Sequence, residues 1–541
     1  MKVLLVNPPL LIDESRYLPR RPSYPFEHLG LGYLASYLRQ HGHEVTVKDA
    51  YLAGQDADQF FPELESVPAD LIGFSATHGF MTSAIDLVRR LRKAGYDGHI
   101  TFGGYLPTFL PEPILKDFPE IDSIVRGEGE YTLLDLVEKL DKPSSWDTIG
   151  SLTYRDRDGE IRSNPPRPLI KDLDELPFPA RDTLPDLLSM QDYGSICSSR
   201  GCYGKCTFCS IHSFYGKSPG SHWRGRSAKS VVDELEKLAN DWNLEKFAFP
   251  DDNFLGAGRR GNTRAMEVAK EILARGLTAR YSILCRASDV DTALFAFLKA
   301  SGMGTVFVGF ESGVDRALKT FGKMTTAAEN RKAAKKLKNL GIKCYPGFIM
   351  FDPYTTLEEV EENLKFAKEM ESGSDLIEID DLFNSLQIFI GTPIYDRLSR
   401  EGRLFPTPTS LLPYDVLPGY HIADERAERL RAQARDFRKI LPRVHYINYE
   451  RLARELPDED MSELQKQFRE LTHTISSAEE RFLTDGSQYF KKEPLGAAEK
   501  FTIALKEKLR SELEPKILNY NRNVEKFLSR DEKLNRYIIK G

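Results

Sequence analysis

The sequence predicts an α/β chain in three parts: a doubly wound parallel sheet, an open barrel and a helical C-terminal region. Three observations predict it. Short apolar, β-branched runs alternate with amphipathic stretches over residues 1–142, the alternation returns over 191–390, and after about 420 the strand pattern stops. The 541 residues are too many for one ordinary domain. With 41% hydrophobic and 29% charged residues, the chain has the balance of a globular protein with a core.

In the first block, strands are expected at Val3–Asn7, Glu44–Asp49, Leu71–Ser75, His99–Gly103 and Ser123–Arg126, with helices such as Gly32–Gln40 and Thr82–Lys93 between them. Five such strands fit a flavodoxin-like, Rossmann-like unit, which binds ligands at the carboxyl ends of its strands. Residues 143–190 change character. Ser151–Ser163 reads as a hairpin turning at Asp158-Gly159, and six prolines between 165 and 185 make a stiff linker that wraps rather than folds alone. In the second block, strands are expected at Gly194–Ser198, Lys246–Phe249, Arg280–Cys285, Thr305–Phe310, Cys344–Met350 and Leu376–Ile379. Six β/α units are two short of a closed barrel, so a partial (β/α)6 TIM barrel with a lateral cleft is expected. Residues 391–541 form the helical part, with amphipathic helices at Ala423–Leu441 and Ala497–Leu513 whose charge runs read as solvated faces. These helices are expected to cap the barrel mouth, with Tyr420 and His421 at the surface where they begin.

Charge and hydropathy narrow the function. The net charge of −6 lacks the basic surplus of a nucleic-acid binder. No run of 18 apolar residues suggests a membrane span. The apolar start, Val3 to Val6, stops at Asn7-Pro8-Pro9, so it reads as a first strand rather than a signal peptide, and a cytoplasmic protein is expected.

Six cysteines stand at 197, 202, 206, 209, 285 and 344, three of them within eight residues. Such clustering points to a metal or cluster site rather than a disulfide framework. Cys202, Cys206 and Cys209 form C-x3-C-x2-C just past a strand, with Gly201 and Gly204 letting the loop fold tightly. Three thiolates on a four-iron cluster leave one iron open to chelate an amine and a carboxylate. Zinc and inert structural cysteine are the rival readings. Zinc normally takes four ligands, and here no second C-x2-C arm exists; His212 and His222 are the nearby histidines. Cys197, Cys285 and Cys344 lie in apolar strand patterns and read as core residues.

The C-x3-C-x2-C loop after the first barrel strand resembles the radical S-adenosylmethionine superfamily over roughly residues 190–385. The resemblance implies that Cys202, Cys206 and Cys209 hold a [4Fe-4S] cluster that binds S-adenosylmethionine. It also implies further cofactor contacts at successive strand ends. Phe208 would lie against the adenine, Asp251 or Asp252 would hold the methionyl amine, and Arg286 its carboxylate. Glu311 and Ser312 stand in a Gly-x-Glu-Ser-Gly pattern, with Glu311 a polar contact, and Gly347 lies on the adenine-packing strand.

The N-terminal block lacks G-x-G-x-x-G after its first strand, which argues against a dinucleotide. Asn7-Pro8, Ser75-Ala76-Thr77, Gly103-Gly104 and Arg126-Gly127-Glu128-Gly129-Glu130 follow its strands in order. Together they resemble the cobalamin-binding domain fused to one large class of radical S-adenosylmethionine enzymes. There the Ser-x-Thr and Gly-Gly positions flank the cobalamin nucleotide tail. The Asp-x-His-x-x-Gly motif of classical cobalamin domains is missing, so another side chain would meet the lower cobalt face: His78, or its competitors Thr77, Phe80 and Met81.

The two resemblances together imply a cobalamin-dependent radical S-adenosylmethionine methyltransferase. The reduced cluster would cleave S-adenosylmethionine to a 5′-deoxyadenosyl radical, the radical would take a substrate hydrogen, and methylcobalamin would give its methyl to an unactivated carbon or to phosphorus. Cyclisation, rearrangement or another oxidative step is the alternative, and a non-catalytic cobalamin or redox sensor the alternative of another class. The expected partners are a small-molecule biosynthetic substrate and an electron donor such as flavodoxin or ferredoxin, the chain acting as a monomer.

Overall fold

A computed structural model describes residues 1–10, 26–379, 382–405, 417–442, 444, 446–447, 458–528 and 538–539. The N-terminal sheet contains β1 (Lys2–Asn7), β2 (Glu44–Asp49), β3 (Leu71–Ser75), β4 (His99–Gly103) and β5 (Ser123–Val125), all parallel in the order 2-1-3-4-5. That is the flavodoxin-like order. Val3 to Val6 are all buried, as a central strand covered by helices on both faces requires. Separate apolar clusters fill the two faces.

The expected hairpin forms as β6 (Leu152–Arg155) and β7 (Ile161–Ser163) and joins this sheet antiparallel to β5. It covers the backbone edge that a three-residue β5 would leave unpaired. The proline-rich stretch then runs back over the domain: Ala180 N–H donates to Gly32 O at 3.0 Å, and Arg39 forks onto Asp182.

The second sheet is built from β8 (Tyr193–Ser195), β11 (Lys246–Ala248), β12 (Arg280–Arg286), β13 (Met303–Glu311) and β14 (Lys343–Phe348), parallel in the order 14-13-12-11-8. A small ribbon, β9 (Ser199–Gly201) against β10 (Trp223–Gly225), stands apart from it. The sixth expected strand is reduced to one parallel bridge, Cys344 to Ile377. The barrel thus stays open on that side.

Among the described residues the C-terminal part holds a short helix, Pro393–Arg400, then the helices Glu425–Ile440, Asp458–Lys492 and Leu495–Leu528; where no strand was expected, Tyr446–Ile447 pairs with Ile538–Ile539. The 35-residue helix Asp458–Lys492 lies outside the two expected, and the last runs well past Leu513, through Pro515. They share one continuous apolar core with the barrel. Lys491 pairs with Glu361 at 2.7 Å, which seats the helix Asp458–Lys492 on the last barrel helix, Leu357–Glu371, while Arg438 on the buried Glu479 ties two of the C-terminal helices to each other. Tyr420, expected at the surface, is instead buried and donates its hydroxyl to Phe351 O at 2.8 Å, because the chain here crosses beneath Arg431. His421 is exposed. Among the described residues no helix is long and apolar enough to cross a membrane.

Candidate active site at the domain junction

The cysteine loop is held from behind by the end of β11. Asp251, buried, accepts from the backbone of Ser198 at 2.7 Å and of Ser199 at 3.1 Å, and from the Ser198 hydroxyl. Asp252 accepts from Gly201 N–H at 2.9 Å, and burial pushes its carboxyl up to about 6. Both carboxylates therefore shape the loop. Gly201 has φ +79°, and a Cβ there would stand 1.8 Å from His222 O, so only glycine fits.

Cys202 accepts from Gly204 N–H at 3.3 Å and faces the Asn253 amide at 3.8 Å; Cys206 accepts from Arg286 Nη1 at 3.2 Å. Burial raises the thiols of Cys202 and Cys209, the latter to about 12, so iron must displace their protons to bind. Among the described residues no three His, Cys, Asp or Glu side chains stand close enough as they are to hold a metal ion. The Arg286 guanidinium sits against the loop, where a Cβ on Gly204 would meet it at 2.1 Å. Three thiols on one loop, beside a buried guanidinium and an amide, are a donor set suited to an iron–sulfur cluster. Tyr203 donates to Asp289, which also accepts from Asn253 at 3.2 Å, and so braces the far side of the loop.

Glu311 ends β13 at a register shift, with φ +66°. Its carboxylate accepts from the buried Lys323 at 3.0 Å. A Cβ on Gly309 would come within 2.5 Å of Glu311 Oε1, and one on Gly347 within 3.3 Å of its Oε2. Both glycines therefore make room for this side chain. Ser312 points the other way, its hydroxyl donating to Asn363 at 2.9 Å in the core. Phe208 packs edge-on against Phe321.

Across the junction lies a cavity of about 270 Å³. Ser75, Gly103, Gly104, Gly127, Glu128 and Glu130 line it from the N-terminal side, Cys197, Arg200, Asp251 and Asp252 from the barrel side, and it extends down the sheet to Leu5 and Gly73. Cys197 is thus a cavity residue rather than core. His28, which the sequence did not single out, caps the helix Leu29–Gln40: its Nδ1 accepts from Leu31 N–H, so the ring, kept neutral by burial, carries its proton on Nε2. That proton goes to the Ser75 oxygen at 2.8 Å, leaving the Ser75 hydroxyl free to donate into the cavity. Bare glycine backbone, one hydroxyl and a deep apolar slot suit a flat macrocycle with a trailing nucleotide. Asn7, Pro8, Thr77 and His78 are outside this lining. Asn7 donates to Asp49 at 2.8 Å, and the His78 ring packs near Tyr105 and Phe389.

Residues 21–137 match the B12 binding domain family, and residues 196–367 match the Radical SAM superfamily. An uncharacterized methyltransferase of Pyrococcus horikoshii is 33% identical over 69% of this chain and 78% of its own. The chain belongs to the cobalamin-dependent radical S-adenosylmethionine enzymes. Members of this family differ in outcome: an anaerobic magnesium-protoporphyrin IX monomethyl ester cyclase of Rubrivivax gelatinosus is 28% identical over 63% of this chain and 61% of that one. The fold is that of the cobalamin-dependent radical enzyme OxsB, solved with aqua-cobalamin bound, at a TM-score of 0.73 and 22% identity over 99% of this chain and 80% of that one. The family's cofactors are cobalamin, S-adenosylmethionine and a [4Fe-4S] cluster.

Three functional candidates fall outside the residues the sequence singles out: His28, Arg200 and Asn253. Asn253 and Arg200 stand beside residues the motifs did pick out. His28 carries the signal of a polar residue directly before a helical run.

Proposed function

We propose that this radical enzyme transfers a methyl group to an unactivated carbon, or to phosphorus, of a small-molecule substrate held at the domain junction. The observation that carries the reading is the junction itself. One cavity is bordered by the strand ends Ser75 and Gly103-Gly104 and by Cys197, Ser199 and Arg200 at the root of the cysteine loop. The methyltransferase name of the relative one-third identical favours methyl transfer over the ring closure of the cyclase relative.

When bound, the cluster and S-adenosylmethionine supply an organic radical, and cobalamin carries the methyl. The chain's own work is alignment. Asp251 and Asp252 fix the loop backbone, Arg286 offers a cation beside the thiols, and Glu311 offers a carboxylate at the carboxyl end of β13. Phe214 lines the cavity and continues into a run of packed rings with Tyr105, Phe109 and Phe389, and the Tyr105 hydroxyl donates to Ile390 O at 3.1 Å. An external one-electron donor such as a flavodoxin or ferredoxin would reduce the cluster.

The test is an anaerobic reconstitution with iron, sulfide and hydroxocobalamin, followed by S-adenosylmethionine and a strong reductant. Methyl transfer predicts S-adenosylhomocysteine as cobalamin takes up the methyl, alongside 5′-deoxyadenosine. Release of 5′-deoxyadenosine with no S-adenosylhomocysteine would move the enzyme to the cyclase type. Release of neither would overturn the proposal altogether.

A further inference from the structure

Arg200 stands two residues before Cys202, in the ribbon strand that opens the cysteine loop. Its guanidinium reaches into the N-terminal domain: Nη1 donates to Glu128 at 3.0 Å and Nη2 to Glu130 at 2.6 Å, over the Tyr33 ring. All three charged side chains are nearly buried, Arg200 at 12% exposed and the glutamates at 7% and 5%. In the ribbon, Arg200 is paired directly with Arg224. Two guanidiniums at opposed positions repel. Glu128 resolves this by taking Arg200 on one oxygen and Arg224, at 2.7 Å, on the other. The ribbon is therefore electrostatically complete only with the Gly127–Glu130 turn seated on it. That turn and Arg200 both line the cavity.

We propose that Arg200 is a positioning residue that couples filling of the cavity by the corrinoid to alignment of the cysteine loop, so that each cofactor raises the protein's affinity for the other. The proposal rests on the cavity being the corrinoid site. A ligand that orders the Gly127–Glu130 turn orders the fork on Arg200. The Arg200 backbone is tied on one side to Asp251 through Ser199 and on the other to Asp252 through Gly201, so its placement passes to Cys202. Coupling of this kind is reciprocal. A lysine could not reproduce it, because one ammonium cannot fork between two carboxylates.

The test uses the full chain. Hydroxocobalamin is titrated by absorbance into cluster-free protein and into protein reconstituted with iron and sulfide, and the ratio of the two Kd values is the readout. Iron bound per chain, with and without hydroxocobalamin, gives the reciprocal measurement. The wild-type ratio is expected to be about fivefold or more. In Arg200→Met it should fall to about one while hydroxocobalamin still binds, and Arg200→Lys should lie between. A merely structural loss would weaken both affinities and leave the ratio standing. Glu130→Gln, which removes one arm of the fork, should also lower the ratio and carries the test if Arg200→Met does not fold. A wild-type ratio of one, or a wild-type-sized ratio in Arg200→Met (in Glu130→Gln if Arg200→Met does not fold), overturns the coupling. Failure of the wild type to bind hydroxocobalamin overturns the cavity assignment instead.

Discussion

Replacing Glu311 sets two local energies against each other. The residue holds a left-handed backbone, φ +66°, where a non-glycine side chain costs about 1–2 kcal/mol. Glycine would relieve that strain. It would also strip the partner from Lys323, whose side chain is 5% exposed and whose ammonium lies 3.0 Å from the carboxylate. Breaking a buried pair on one side costs about 3–5 kcal/mol. The charge should win, leaving Glu311→Gly destabilised by roughly 1–4 kcal/mol. Glu311→Gln keeps the strained backbone but also keeps a carbonyl acceptor for Lys323, so the two effects nearly offset and it should melt close to Glu311→Gly. In Glu311→Gly with Lys323→Met the orphaned charge is gone, and much of the loss should return. Thermal melts of the three variants test the order, at about 2–4 °C per kcal/mol for a domain of this size. Glu311→Gly melting at or above wild type, or no recovery on adding Lys323→Met, would refute the reasoning.

Gly201→Ala should abolish cluster assembly, because a Cβ 1.8 Å from His222 O forces the loop backbone apart; iron near the wild-type content after reconstitution would contradict this. Gly104→Ala should weaken hydroxocobalamin binding at least tenfold while leaving iron uptake alone, since φ is +96° and a Cβ would stand 3.2 Å from Ala76 O. Asp49 gives a pH signature. Burial raises its carboxyl from 3.8 to about 6, so the fold favours the protonated form. That contribution is full below about pH 4 and is lost as pH rises through 6, roughly 3 kcal/mol in all. Asp49→Asn, which keeps an acceptor for Leu52 N–H, should therefore gain on wild type between pH 4 and 7 in urea unfolding; a constant difference would count against the assignment.

What could be read from the chain depended on how local the cause was. Val3-Leu4-Leu5-Val6 marks a strand buried on both faces by its own composition, and all five N-terminal strands appear where such runs stand. Cys202, Cys206 and Cys209 lie within one loop, so their spacing marks a candidate cluster site, while the cofactor it would take comes from the resemblance of the whole barrel block. The helix Asp458–Lys492 was not legible because its apolar residues are sparse among charges, and it is held by distant partners such as Arg438 on Glu479. The fork of Arg200 on Glu128 and Glu130 spans some 70 residues, and no local pattern announces a pair that meets only after two domains dock. In the sequence Gly347 marks a strand expected to pack against adenine and Gly309 opens the Gly-x-Glu-Ser-Gly pattern; only the packed sheet reveals the Glu311 carboxylate between them.

The junction is held by charge where apolar packing would serve stability at least as well. Beside the fork on Arg200, a second buried network runs from Glu27 through Arg181 to Glu234 and Arg226, again joining the N-terminal domain to the barrel. Buried ion pairs are poor sources of net stability, since desolvation offsets most of the attraction. What they supply is direction: a guanidinium forked between two carboxylates accepts one orientation, whereas an apolar face tolerates sliding. Sliding is what this site can least tolerate, because the strand ends of one domain and the cysteine loop of the other must face a single cavity in fixed register. Without Glu128 and Glu130, Arg200 and Arg224 would be two opposed, buried and unpaired cations at the root of the cysteine loop. The barrel therefore carries a candidate cluster loop whose electrostatics are finished only by the domain it works with.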